Sequence, residues 1–314
     1  MTKARHHHYL SQCYLKGFTQ GSAKKSKLAV VELKTKKIFE TTPRNVGGIR
    51  DFNKIEIAGF DPNYIETNLS AIEGPAASSI NKLQENQDFS GETKNNLIML
   101  IAMLGARSPQ QRKHIDSQLS EIPKKIMKMM VSSEERYDSV IENSYKTADK
   151  SELIDYEKMK EFVNSDNYNV SLTQEFLIEL ELKMMQEIEV QLQKRNWILI
   201  KSTAESGEFI TSDKPVNLVW KKPIDNNFHY SPGYGLLETT VYFPITKNLA
   251  LLGTFDDLQN QSNFLLSDAT KEFVANLNTL VIHNCYDYIY TSGTKNFFYY
   301  SKNNQMELGS RILK

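Results

Sequence analysis

Two neighbouring histidines near the start of the chain are the first residues whose chemistry suggests a functional site. His7 and His8 lie in the run HHHYLSQCYLKGF, and an imidazole can bind a metal or transfer a proton near neutral pH. Large apolar residues recur every four positions from Leu10 to Phe18, a spacing that predicts a short helix over residues 6–18. Adjacent helical residues point about 100° apart, so we expect only one of the two histidines to face a site.

A carboxylate and an amide further along the chain could complete such a site. Asp213 ends a predicted strand in FITSDKPV, where the strand would hold the carboxylate rigidly beside a loop. Capping of backbone amides in the turn is the alternative role for Asp213. Asn278 lies among apolar residues of a predicted helix over residues 268–283. Its amide faces either a cavity or a solvated side of that helix, and the sequence leaves both alternatives open.

Basic side chains that could bind phosphate occur in two places. The N-terminal stretch around Lys16 is rich in lysine and arginine and lacks acidic residues. Arg107 and Arg112, followed by His114, loosely resemble the arginine–histidine pattern of HEPN-type ribonucleases. Because Pro109 should break the helix between the two arginines, pairing with acids or with helix C-terminal carbonyls explains them more readily.

Hydrophobic periodicity predicts the elements of the first two thirds of the chain. Alternating apolar residues predict a β-hairpin over residues 28–39. The run NNLIMLIAMLGAR is apolar nearly all round and predicts a deeply buried core helix over residues 93–107. Residues 61–195 are otherwise helical in pattern, with a break expected at Gly74-Pro75.

From Asn196 onward the pattern changes to short β-branched and aromatic runs separated by turn residues. These runs predict an antiparallel sheet over residues 196–253. The predicted fold class is α+β, mostly helical with a C-terminal antiparallel sheet and a small N-terminal hairpin. We expect Tyr14 and Phe18 to anchor the N-terminal helix on this sheet. The expected organisation is one compact domain, 1–314, with three regions: 1–60, 61–195 and 196–314.

Composition limits the classes of function. The chain has 38 basic and 38 acidic side chains, which argues against a nucleic-acid binder that relies on a global basic excess. Cys13 and Cys285 are far apart and form no CxxC, so neither a disulfide framework nor a zinc site is predicted. No secretory signal or apolar run long enough to span a bilayer is visible. We therefore expect a cytoplasmic protein without membrane contact.

Several blocks, taken together and in order, resemble the motifs of the DUF4238 family of bacterial and phage proteins of unknown function. The blocks are HHYLSQCYLKGF, TPRNVGGIRDFN, IETNLSAIEGPAASSI, GARSPQQR, FITSDKPV, FPITKNLALL and LNTLVIHNCYDYIYTS. Ser11 stands where the family usually has a proline. The resemblance places these polar residues in family motifs: His7, His8, Glu66, Glu73, Arg107, Arg112, Ser212, Asp213 and Asn278.

The resemblance implies that polar residues from separate blocks converge on one site. The expected catalytic residues are His7, His8, Asp213 and Asn278. The expected substrate-binding residues are Arg107, Arg112, Lys16 and Ser212. Such a set suits phosphodiester hydrolysis with or without a divalent metal.

The leading functional hypothesis is a nuclease-like or other phosphoester-acting enzyme, such as a toxin or phage-defence effector. The alternative is a non-catalytic module that binds a nucleotide, a nucleic acid or a protein. Whether the chain forms a homo-oligomer is left open by the sequence. The most specific structural expectation is that the N-terminal histidines and Asp213 share one pocket, because a functional imidazole usually needs a carboxylate to fix its tautomer.

Overall fold

The computed structural model describes residues 6–21, 23, 25–144, 154–222, 231–257 and 264–313. Its contacts divide the chain into two compact units, which are described separately. Met1–Ser108 and Glu181–Lys314 form the larger unit, and Pro109–Leu180 forms the smaller unit. Helices and mainly antiparallel sheets occur in the described part, so the predicted α+β fold class is confirmed. That residues 1–314 form one domain stays a prediction.

The N-terminal histidines lie in a strand, so the helix predicted over residues 6–18 is wrong in its first half. Strand β1 (His6–His8) pairs antiparallel with β4 (Gly48–Arg50), and the backbone amides of residues 9 and 10 donate to the Gly47 carbonyl. Helix α1 covers only Gln12–Leu15 and continues as a 3₁₀ turn over Lys16–Phe18. Pairing with a segment forty residues away overrides the helical spacing of the local sequence.

Two long helices form much of the core of the larger unit. Helix α2 (Tyr64–Asn86) runs without interruption through Gly74 and Pro75, so the expected break is absent. Helix α3 (Gly91–Ala106) is buried along most of its length, including every leucine of its apolar run. This confirms the prediction of a core helix. The chain leaves helical geometry after Ala106 and begins the next helix at Pro109, as the proline predicted.

The predicted C-terminal sheet is present in the described residues and is mixed rather than purely antiparallel. Its five strands lie in the order β10-β5-β9-β8-β7. Their bounds are β5 Asn196–Lys201, β7 Asn217–Trp220, β8 Thr239–Pro244, β9 Leu249–Thr254 and β10 Phe264–Asp268. The edge strand β10 runs parallel to β5, whereas the other neighbours are antiparallel. The run that precedes β5 is α7 (Gln174–Gln193), which begins in the smaller unit.

The N-terminal hairpin forms part of a second sheet built from both ends of the chain. Strands β2 (Leu28–Glu32) and β3 (Lys37–Thr41) form the predicted hairpin. Strand β11 (Tyr288–Thr291) pairs with β2 on one side and with β6 (Thr211–Ser212) on the other. Helix α8 (Lys271–Asn284), capped by the Thr270 hydroxyl, packs beside the small sheet of β12 (Phe298–Tyr300) and β13 (Met306–Leu308).

The short helix α1 docks on the five-stranded sheet, as predicted. The ring of Tyr14 stacks on Phe243 of β8 with ring centroids 5.0 Å apart. Its hydroxyl donates to the Pro244 carbonyl and lies 2.6 Å from the Thr211 hydroxyl. Phe18 is fully buried beside Tyr14. The aromatic anchors therefore fix the segment that carries the N-terminal histidines.

The smaller unit is helical in its described part. It contains α4 (Pro109–Met130), α5 (Glu134–Ser144), α6 (Tyr156–Asn164) and the start of α7. Its own apolar cluster is small and centres on Val131, Tyr137 and Val163. Arg112 is a buried residue of α4 and belongs to this unit.

Candidate functional site

The geometry of β1 separates the three histidines. Successive side chains of a strand point to opposite faces, so His6 and His8 share one face, with ring centroids 5.0 Å apart, and His7 points to the other. His7 is completely buried, and its Nδ1 accepts the backbone N–H of Asn53 at 2.9 Å. Because a backbone amide only donates, the neutral His7 ring carries its proton on Nε2.

His8 is half-buried and bound at both ring nitrogens. Its Nε2 donates to the Arg44 carbonyl at 3.2 Å, and its Nδ1 accepts from the Gln12 amide at 3.4 Å. Burial lowers the pKa of His8 below its ordinary value of 6.5, opposed by the bond to the Arg44 carbonyl. The ring is therefore neutral at physiological pH.

Asn53 joins His7 to two charged side chains. Its Nδ2 donates to Glu66 Oε2 at 2.6 Å, and its Oδ1 accepts from a terminal guanidinium nitrogen of Arg107 at 3.1 Å. Asn53 and Arg107 are both buried, whereas Glu66 is partly exposed. The three residues come from the loop before α2, from α2 itself and from the end of α3. Folding thus brings together residues from three separate blocks of the sequence.

A second glutamate of α2 extends this group. Glu73 follows Glu66 by seven residues, which places both carboxylates on one face of the helix. Burial raises the pKa of Glu73 above its ordinary value of 4.5, and the nearby Glu66 carboxylate raises it further. A hydrogen bond with Ser11 and the charge of Arg107 oppose this shift. We call the group formed by His7, Ser11, Asn53, Glu66, Glu73 and Arg107 the polar cluster.

A cavity of about 410 Å³ lies next to the polar cluster. Cys13 connects the two, because its thiol donates to the Glu73 carbonyl at 3.6 Å and also lines the cavity. The remaining lining residues come from the segment after α1, from α2 and from the β8–β9 turn: Lys16, Gly17, Thr19, Gly21, Ala23, Ala77, Ile80, Asn81, Gln84 and Lys247. We call this space the lysine cavity, since Lys16 and Lys247 supply its positive charge.

Asp213 has a clear backbone-binding role. Its buried carboxylate accepts three backbone N–H groups, from Tyr286 at 2.8 Å, Asp287 at 2.8 Å and Tyr288 at 3.1 Å. These amides belong to the turn after α8 and to the first residue of β11. The hydroxyl of the neighbouring Ser212 forms hydrogen bonds with the backbone of Lys214, within the turn that contains Asp213. The arrangement matches the backbone-capping alternative that the sequence left open.

Asn278 also binds backbone groups. Its Oδ1 accepts the N–H of Ile210, and its Nδ2 donates to the carbonyls of Glu208 and Phe298, all at 3.0–3.1 Å. The side chain is buried and ties α8 to the segment before β6 and to β12. These three bonds use both ends of the amide, so Asn278 holds neighbouring elements in position.

Two tyrosines, Tyr9 and Tyr290, lie between the histidine strand and Asp213 and interact with the Asp213 charge. Tyr9, which follows His8, forms a hydrogen bond with Tyr290, and burial together with the Asp213 carboxylate raises the pKa of both phenols. The described hydrogen bonds of Asp213 go to backbone amides and not to a histidine. A pocket shared by the imidazoles and Asp213, and the catalytic roles predicted for them, therefore stay predictions.

Two residues of the arrangement escaped the sequence reasoning. Asn53 lies in a loop and gives no periodic signal, although it is the last residue of the TPRNVGGIRDFN block. Lys247 lies in the turn between β8 and β9, and its sequence context gives no sign of a site. Glu66 and Glu73 entered only through the family resemblance. The place of Asn53 at the end of a family block is the one signal in the sequence that could have identified it.

Two further properties concern metals and membranes. Among the residues with described positions, no group of three or more His, Cys, Asp or Glu side chains is arranged to hold a metal ion. In the same part of the chain, none of the helices combines the length and apolar character needed to cross a bilayer.

The fold and the site describe an α+β protein in which the polar cluster lies next to the lysine cavity. Residues 6–295 match the family described as "Protein of unknown function (DUF4238)", and the chain belongs to this family. The match covers nearly the whole chain and confirms the resemblance seen in the motifs. Neither a curated protein nor a solved structure matches the chain.

Proposed function

We propose that this protein binds a phosphate-bearing ligand in the lysine cavity and hydrolyses a phosphoester bond there. One observation carries the proposal. The cavity that Lys16 and Lys247 line is also lined by Ala77, which follows Glu73 by one turn of α2, and burial raises the pKa of the Glu73 carboxyl group. A catalytic site for an anionic substrate is expected to combine two features. One is a set of cations that binds the anion, and the other is a titratable group with a shifted pKa.

The lysine cavity has the charge and size for a small anionic ligand. An ammonium group binds phosphate as a point charge. Lys16 is exposed and forms no ion pair within the described residues, and Lys247 lies 3.6 Å from Glu208. The volume of about 410 Å³ lies in the range of small-molecule sites. The amides of Asn81 and Gln84 on the α2 wall add groups that could recognise a sugar or a base.

Glu73 is the best-placed group for proton transfer. A raised pKa brings a carboxyl group closer to neutral pH, where it exchanges protons efficiently. In the proposed reaction the Glu73 carboxylate takes a proton from a water molecule whose oxygen attacks the phosphorus. The phosphoester bond breaks, and the leaving oxygen takes a proton from solvent. Arg107 donates to Asn53, and Asn53 donates to the neighbouring Glu66. This chain of hydrogen bonds fixes the position of the Glu66 charge, which acts on Glu73.

A thiol nucleophile fits the geometry less well. Cys13 lines the cavity, but burial raises the pKa of its thiol, and the Glu73 charge raises it further. A protonated thiol is a poor nucleophile. Attack by water, assisted by Glu73, is therefore the favoured route.

The second candidate function is binding of the same class of ligand without catalysis. It is favoured by the backbone hydrogen bonds of Asp213 and Asn278, two of the residues that the sequence predicted as catalytic. Under this alternative the lysine cavity binds the anion, and Glu73 only contributes to the local charge.

The test measures hydrolysis of bis(p-nitrophenyl) phosphate and of short RNA and DNA strands by the full chain. We expect Glu73→Gln to lower kcat/KM by about 10²–10⁴-fold, the usual contribution of a general acid or base, and to remove the acid limb of the pH–rate profile. Glu85→Gln, at an exposed position of the same helix, is the matched control. Binding without turnover supports the alternative, whereas neither binding nor turnover overturns the proposal.

A further inference from the structure

Lys247 of the lysine cavity has an acidic neighbour, Glu208, which is not among the residues that line the cavity. The Lys247 ammonium lies 3.6 Å from Glu208 Oε1, and the two side chains are 26 and 21 % exposed. This separation is longer than a hydrogen bond, so the ammonium, which has three donors, is able to bind a ligand at the same time. Glu208 therefore acts on the cavity through its charge.

The Glu208 carboxylate is held in place by two polar side chains. The Asn296 amide donates to the Ser292 hydroxyl oxygen at 2.8 Å. Because the amide nitrogen only donates, the Ser292 hydroxyl keeps its own proton for a hydrogen bond to Glu208 Oε2. Ser292 is buried, so this anchor is shielded from water. One carboxylate oxygen is thus bound to Ser292, and the other lies near Lys247.

Backbone hydrogen bonds keep Glu208 and Lys247 side by side. The Glu208 carbonyl accepts from the Asn278 amide at 3.0 Å. The N–H of the next residue, Phe209, donates to the Lys247 carbonyl at 2.7 Å. The Lys247 N–H donates to the Gly17 carbonyl at 2.9 Å, in the segment that lines the cavity. These bonds leave the Glu208 charge little freedom to move away from Lys247.

The fixed negative charge repels an anion that binds in the cavity. A phosphate oxygen that accepts from Lys247 lies at most about 6.5 Å from Glu208 Oε1, since one hydrogen bond is added to the 3.6 Å separation. At that distance, each negative charge of a ligand loses about three- to tenfold in affinity for an effective dielectric constant of about 40–80. Glu208 thereby offsets part of the positive charge of Lys16 and Lys247.

This repulsion distinguishes two kinds of phosphate ligand. A phosphodiester carries one negative charge, whereas a phosphomonoester carries nearly two above neutral pH, because its second pKa is about 6. Glu208 therefore weakens the binding of a monoester more than that of a diester. The difference corresponds to the repulsion of one additional charge.

We propose that Glu208 is a specificity-determining residue, which makes the lysine cavity favour phosphodiesters over phosphomonoesters. The inference rests on the proposed function, because it requires that the cavity binds phosphate. It narrows the substrate class of the proposed hydrolysis to phosphodiesters. Glu208 acts through its charge next to Lys247, while Ser292 and Asn278 position it.

Calorimetric titration of the full chain at about pH 8, where a monoester is a dianion, tests the proposal. The probes are adenosine monophosphate and its phosphate methyl ester, which share base and sugar and differ by one charge. We expect the wild type to bind the methyl ester at least as tightly as the monophosphate. Glu208→Gln keeps an acceptor for Ser292 and removes the charge, so the ratio of the two affinities should shift toward the monophosphate by about three- to tenfold.

Two further variants separate charge from structure. Glu205→Gln, at an exposed position three residues earlier, should keep the wild-type ratio. Glu208→Asp retains the negative charge and should retain most of the preference for the methyl ester. Both affinities are measured on the same protein sample, so partial unfolding of a variant does not change their ratio.

The outcomes distinguish this inference from the proposed function. A wild type that prefers the monophosphate, or an unchanged ratio in Glu208→Gln, overturns the role of Glu208 and leaves the lysine cavity as an anion site. A wild type that binds neither probe overturns the proposed function and this inference with it.

Discussion

Removal of the Asp213 carboxylate should destabilise the larger unit rather than simply abolish an activity. The carboxylate accepts three backbone N–H groups from residues 286–288. A hydrogen bond to a charged group contributes about 1.5–3 kcal/mol, and a buried amide left without its partner costs about 1–3 kcal/mol. Burial of the carboxylate opposes these gains, since it raises the pKa of Asp213. We therefore expect Asp213→Ala to lower the free energy of unfolding by about 3 kcal/mol.

Tryptophan fluorescence during urea unfolding measures this loss. Trp197 and Trp220, the two tryptophans of the chain, both lie in the larger unit, so the signal reports the unit that contains Asp213. Asp256→Ala is the control, because its carboxylate is exposed and accepts from two side chains, Lys221 and Thr254. It should lower the free energy of unfolding by less than about 1 kcal/mol. A change below about 1 kcal/mol for Asp213→Ala, together with lost activity, would refute the reasoning and restore the catalytic assignment.

Three further predictions concern the residues around the site. Asn53→Ala should lower the free energy of unfolding by about 3 kcal/mol, because Glu66 and Arg107 each lose one charged hydrogen bond. The control Asn45→Ala, at an exposed position, should change the free energy of unfolding by less than about 0.5 kcal/mol in the same urea experiment. Asn278→Leu should lower the melting temperature measured by calorimetry, since three buried backbone groups lose their partner; an unchanged melting temperature contradicts this role. The pKa of His8 is lowered by burial, so its stabilising contribution is complete above pH 6.5 and is lost as pH falls from 6.5 through the folded-state pKa. His8→Gln should reduce this loss of stability on acidification, and an identical pH dependence in the variant would contradict the assignment.

The sequence predicted elements whose signal is local. Helix α3 was recognisable because it is apolar nearly all round, and the chain breaks before Pro109 because proline cannot continue a helix. Tyr14 and Phe18 were identified as anchors because large aromatics in a short terminal segment need a packing surface. Each of these conclusions depends on side chains within a few residues of one another.

The errors arise where distant segments decide the local structure. β1 appears helical in the sequence, but its backbone pairs with β4 forty residues later. The hairpin of β2 and β3 gives no sign that β11 and β6 extend it into a four-stranded sheet. Pro75 predicted a break, yet α2 continues through it and packs against α3.

The candidate site shows the same limit. Glu66 and Glu73 share a helical face, a relation visible in the sequence once the helix is known. Asn53 acts through its amide and backbone, and only folding places it between His7 and Arg107. Lys247 reaches the lysine cavity from a turn more than two hundred residues after Lys16. Residue type also does not distinguish the roles of Asp213 and Glu73. Asp213 accepts three backbone amides, whereas Glu73 lies one helical turn before Ala77 in the lining of the lysine cavity.

Calorimetric titration of the full chain with inorganic phosphate and with nucleoside monophosphates tests the central claim most directly. The account predicts one ligand per chain, and at least about a tenfold weaker affinity, equivalent to about 1.4 kcal/mol, in the variant Lys16→Met with Lys247→Met. Lys37→Met, at an exposed position of β3, should bind as the wild type does. Absence of binding to the wild type, or equal affinity in the double variant, would contradict the assignment of the lysine cavity as an anion site.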